Sequence, residues 1–380
     1  MVTEDFGNLL ISRLIAGSML ILLMGGCVTA PVEEVKPPPS FNSELLTGEI
    51  LFGEVVRSSE APAHDILGVD QAMLEFVGDI GERRLSVVRF NQLIDKLEDS
   101  GFFGNTYNAS VTLTAADTFH KKIGNCISYT NLFVALARVA GLEVHFQIVP
   151  PVHPTWDAQD GMLIKNNHIN LSIRGQRFDR NRGDGYTIDF NLVEPDPDAE
   201  VKRVSDEYAA SLFYANLAIS SLFANKPREG FAYLVRAIET EPGNPDLWIN
   251  LAAIYNRFGQ HRAAIESLQV AGQIDPRDRT VVSALERTYR ILGDIETADR
   301  LAVKVRRHRQ SNPYYFFALA QQARETGDLN GALVAIERAI KLKKQDPRFH
   351  HLQSVLHQAQ GDAKLAQISL RRAKRQGWRG

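Results

Sequence analysis

At 380 residues the chain has room for two or three domains, each able to bury its own core. Its formal net charge is −2, from 43 Lys+Arg against 45 Asp+Glu, so no overall basic excess argues for a nucleic-acid partner. Apolar residues make up 44%, ordinary for a globular protein, and leave the function class open.

The first informative stretch is SRLIAGSMLILLMGGC, where one basic residue, Arg13, precedes an apolar run ending in Gly25, Gly26 and Cys27. That run is short for a membrane span and has the form of a signal-peptide core. Met24-Gly25-Gly26-Cys27 resembles the lipobox of bacterial lipoproteins. The resemblance implies cleavage after residue 26, acyl chains on Cys27, and, with Val28 next in line, an outer-membrane lipoprotein facing the periplasm. Residues 27–42 then read as a tether, because Pro37-Pro38-Pro39 favours extended geometry and no apolar periodicity supports a core. With Cys27 lipidated, Cys126 has no partner for an intramolecular disulfide.

A mixed domain is expected over 43–203. Phe90, Leu93, Ile94 and Leu97 fall at helical spacing ahead of the main motif. From Cys126 onward Tyr129, Leu132, Phe133, Leu136 and Ala140 repeat at three- and four-residue steps, and Gly141 ends the run as a helix cap would. Cys126 therefore opens a helix, where unpaired N–H groups and the dipole favour thiolate, the nucleophilic form. Three alternating segments follow: 144–149, 168–173 and 186–193. A hairpin centred near Phe178 and Asp179 would set His168 opposite Asp189, with Asp179 and Asp184 as rival carboxylates. A carboxylate that orients an imidazole, which in turn takes a thiol proton, is triad chemistry. No close-spaced ligand pair suggests a metal, and no cofactor is expected.

Gly124-x-Cys126, LFVALARVAGL, His168 in NHINL and Asp189 in TIDFN resemble the transglutaminase-like superfamily, relatives of papain-type cysteine proteases. The resemblance implies an α+β fold, a cysteine helix on an antiparallel sheet, and Cys126, His168 and Asp189 as catalytic residues. It also implies an oxyanion-hole side chain upstream of the cysteine, for which Asn105, Asn108 and Asn125 are candidates.

Over 204–380 the pattern becomes periodic. Gly259, Gly293, Gly327 and Gly361 stand 34 residues apart, as do Ala264, Ala298, Ala332 and Ala366. WINLAAIYNRFG resembles the core of the tetratricopeptide repeat, and five helix pairs are expected, the first with Asn225 in place of the glycine and Gly230 in place of the alanine. Such an all-α array implies a protein or peptide partner. Together these readings give a lipid-anchored cysteine-dependent acyl-transfer enzyme, a peptidase or amidase in preference to a crosslinking transamidase. The alternative is a non-catalytic assembly lipoprotein that keeps the fold.

Overall fold

The computed structural model describes residues 24–27, 39–78, 80, 85–102, 107–149, 158–159, 162–163, 168–174, 184–188, 190 and 201–378. The chain divides into two compact units, Met1–Pro151 with Asp157–Pro276, and Val152–Trp156 with Arg277–Gly380. In chain order the first unit holds β1 (Met24–Cys27), α1 (Glu49–Phe52), α2 (Gln71–Val77), α3 (Ser86–Asp99), α4 (Ala115–Lys121), α5 (Cys126–Val139), β2 (Glu143–Val149), β3 (Ala158–Gln159), β4 (Met162–Leu163), β5 (His168–Arg174), β6 (Asp184–Ile188) and β7 (Lys202–Val204). Helices α6 (Asp206–Phe223), α7 (Pro227–Thr240), α8 (Pro245–Arg257) and α9 (His261–Ile274) complete it. The second unit holds α10 (Arg279–Leu292), α11 (Ile295–Ser311), α12 (Pro313–Glu325), α13 (Leu329–Leu342), α14 (Pro347–Ala359) and α15 (Ala363–Arg375). No helix among the described residues is long and apolar enough to cross a membrane.

The centre of the first unit is α5, whose residues from Ile127 to Ala137 are all buried. So apolar a helix must be covered on every side. On one side lies a sheet of order β1-β6-β5-β2-β7, antiparallel throughout. Alternation puts Val144, Phe146, Ile169, Leu171, Ile173 and Ile188 in the core. Phe190 continues this apolar face, its ring 5.9 Å from Tyr129 and 6.1 Å from Phe133 of the helix. Another side is closed by α3, where Phe90 meets Phe133 at 6.4 Å. The helix ends as its sequence indicates: Gly141 takes φ +68°, and Leu142 N–H reaches back to Ala137 O at 2.9 Å.

Ten helices from 206 to 375 form five antiparallel pairs, the expected repeat. The left-handed turns between partners fall on Gly259, Gly293, Gly327 and Gly361, and in the first pair on Asn225 at φ +58°, asparagine being the side chain that best tolerates this region. Gly230 is small because a Cβ there would stand 2.9 Å from Ala218 O. Trp248, fully buried, donates from Nε1 to Pro242 O at 3.0 Å and so ties one pair to the turn before it. The first two pairs share the unit of the sheet, and the last three form the other unit.

Residues 41–64, which include α1 and two single 3-10 turns at Ser43–Leu46 and Ser58–Glu60, run as a strap along the first two pairs. Phe41 packs on Trp248 at 4.7 Å, and Tyr255 OH donates to Leu45 O at 2.7 Å. Phe52 sits between Phe231 and Phe258 at 5.8 and 6.4 Å. Arg228 pairs with Glu60 at 2.8 Å and with Glu54. Arg236 donates to both Ser58 O and Ala61 O at 2.9 Å. His64 then lies among Phe213, Tyr214 and Tyr233, where burial lowers the pKa of its imidazole and Arg236 lowers it further, against a rise from Asp117.

Candidate functional site

Cys126 is the first residue of α5 and is partly exposed, in contrast to its sealed neighbours Ile127 and Ser128. The helix start is held by a clasp from residues 107–113. Asn125 caps the helix, its Oδ1 accepting from Ser128 N at 3.1 Å while its Nδ2 donates to Thr112 Oγ1 at 2.8 Å. Asn125 N donates to Val111 O, and Asn108 N to Gly124 O, both at 2.9 Å. Ser128 Oγ accepts from Leu113 N at 2.8 Å. Gly124 is required here, since a Cβ would fall 2.5 Å from that of Ser128.

Of the oxyanion candidates, Asn125 gives its Oδ1 to the helix cap and one Nδ2 hydrogen bond to Thr112, and Asn108 Oδ1 accepts from Ser110 N and Ser110 Oγ in a local turn. Asn105 lies outside the described residues.

His168 opens β5, paired with Val149 of β2. The expected opposition of His168 and Asp189 needs a register two residues away from the one observed, which runs Leu171↔Ile188, Ser172↔Thr187, Ile173↔Tyr186 and Arg174↔Gly185. Strand alternation preserves the face despite the slip, because a shift of two residues leaves every side chain on the side it had. Asp189 and Asp179 lie outside the described residues; Asp184 opens β6 and pairs with Cys27 of β1.

The polar face of the sheet carries chemistry that the sequence pattern passed over. Gln147, Asn170 and Ser172 are all nearly inaccessible, at 0%, 1% and 5%. Gln147 stands opposite Asn170 and reaches across to Thr187 Oγ1 at 3.1 Å. Among the described residues its Oε1 and the Ser172 hydroxyl have no hydrogen-bond partner. Alternation alone could have flagged these positions, but not that they would be buried.

A tetratricopeptide-repeat family model matches residues 223–288, and the repeats are of the kind that serves as a protein-interaction scaffold. No curated protein matches the chain. Among solved structures, MamA from Desulfovibrio magneticus RS-1 is similar at 14% identity over 45% of this chain and 96% of that one, with a TM-score of 0.26. A MamA structure labelled MSR-1 is similar at 19% identity, 44% and 95% coverage, and a TM-score of 0.24.

Proposed function

We propose that the chain is a lipid-anchored, periplasm-facing cysteine hydrolase of protein or peptide amides, built on a transglutaminase-like domain, with the repeats presenting the substrate. The observation that supports it best is Cys126, partly exposed at the first turn of a capped, buried helix that packs on an antiparallel sheet with His168 at the start of a central strand. Cys126 Sγ attacks the amide carbonyl and forms a thioester. His168 takes the thiol proton and passes it to the leaving amine, Asp189 orients the imidazole, and water then releases the acid. Acylation of the Cys27 thiol followed by hydrolysis of the Gly26–Cys27 peptide bond would remove Met24, Gly25 and Gly26, three of the four residues that pair with β6.

Iodoacetamide labelling of the intact protein tests this. Cys126 is expected to react at neutral pH about tenfold faster than a cysteine in an unfolded peptide, and His168→Ala to abolish that advantage. Equal rates in both proteins would sink the enzyme and leave the second reading, a non-catalytic scaffold, which the repeat match favours.

A further inference from the structure

The chain's near-neutral charge conceals a strong division. Residues 277–380 carry 21 Lys+Arg against 10 Asp+Glu, out of 43 and 45 in the whole chain, so the three distal repeat pairs are net positive and the rest is net negative. Much of this positive charge is arranged periodically. Lys304, Arg338 and Arg372 stand 34 residues apart, one in the second helix of each distal pair, and Arg307, Lys341 and Arg375 follow the same step one turn later. A three-residue offset on a helix keeps both rows on one face. All six side chains are exposed, and none has a carboxylate within ion-pair distance among the described residues. Arg338 stacks over Phe316 at 5.8 Å, and Val303 and Val334 beside the rows are 55% and 70% exposed.

The first pair shows what such a position can do. One repeat period before Val270, itself one before Lys304, stands Arg236, whose guanidinium grips two carbonyls of the strap, while Arg228 of the same helix takes the carboxylates of Glu54 and Glu60. There the second-helix face is already covered by an acidic and apolar segment of the chain itself, which carries only short helical turns. In the distal pairs the equivalent face has more cations, and among the described residues no strap covers it.

We propose that the second-helix face of residues 295–375 is a docking surface for an acidic segment of a partner protein, gripped by the two cationic rows as the strap is gripped by Arg228 and Arg236. This deepens the partner-binding half of the function proposed above. Acidic side chains would meet Lys304, Arg307, Arg338, Lys341, Arg372 and Arg375, and apolar ones would cover Val303 and Val334. Like the strap, which joins Glu54 and Glu60 to Phe52, such a segment carries both kinds of group, whereas a duplex nucleic acid offers nothing to the exposed valines.

Fluorescence anisotropy on the full chain decides it, with three probes: a labelled synthetic peptide of alternating Glu-Glu-Leu units, a DNA duplex of similar charge, and vesicles of phosphatidylglycerol. The peptide is expected to bind most tightly in physiological salt and to weaken about tenfold or more in Lys304→Glu/Arg338→Glu/Arg372→Glu, whose exposed positions leave folding intact. Tighter binding to the duplex or the vesicles, no peptide binding, or binding that the triple variant leaves unchanged overturns the proposal. Iodoacetamide reactivity of Cys126 in the triple variant keeps the two readings separable, since loss of docking with an unchanged thiol rate concerns the array alone.

Discussion

Gly124 is where a single missing carbon holds the candidate site together. Its lack of a side chain lets Ser128 lie against the chain just before Cys126, and Ser128 Oγ in turn accepts from Leu113 N. Gly124→Ala would drive a methyl to 2.5 Å from the Ser128 Cβ, in backbone that has little room to give. Overpacking of this kind costs about 1–3 kcal/mol, so the variant is expected to melt several degrees lower. The loosened clasp should also speed hydrogen exchange at Asn108 and Asn125, whose N–H groups are bonded across it. An unchanged melting temperature would mean that the clasp adjusts freely.

At the scale of elements, the strap matters most. Segment 41–64 holds only short helical turns, and its anchors are spread over partners more than 150 positions away, as in the bonds of Arg228 to Glu60 and Tyr255 to Leu45. Tyr255 is fully buried, and burial pushes its phenol well above the ordinary range, so the hydroxyl stays protonated and donates to Leu45 O. Tyr255→Phe deletes that donor and leaves a carbonyl unpaired, at a cost of about 1–3 kcal/mol. Limited proteolysis should then cut within 41–64 faster than in the parent, with the repeats still helical by circular dichroism. An identical cleavage rate would show that Phe41, Phe52 and the arginine contacts hold the strap without Leu45.

At the scale of the whole molecule, the two units differ in how well they are filled. The first contains Trp248, Tyr255, Phe213, Phe231, Phe133 and Phe146, all almost wholly buried. The second is built around Phe317, Ile336, Phe349, Leu352 and Leu356, and leaves Ile291, Ile295, Val303 and Val334 about half or more exposed. Stability in a repeat array is close to a sum of local terms, so the thinner core opens first. In moderate urea, hydrogen exchange is expected to reach residues 277–375 before 206–274. Simultaneous loss of protection would instead make the array one cooperative block.

Much of this was written in local pattern. The helix of Cys126, its Gly141 ending, the strands over 144–149 and 168–173, the first part of the third and all five repeat pairs follow from apolar spacing and from residues that admit a left-handed turn, because period and backbone freedom are properties of neighbours along the chain. Asn225 could be assigned the glycine's place for the same reason. What the pattern left open depends on distant partners. The slip of the β5–β6 hairpin was open because a two-residue shift preserves every face and so costs the pattern nothing. The strap was open because Phe41, Leu45 and Phe52 carry no sign of which surface they meet. The spending of Asn125 on the helix cap was decided by folding, which brought Thr112 and Ser128 to it. Local sequence determined the elements, and only tertiary contact decided which surfaces they cover and which polar groups they consume.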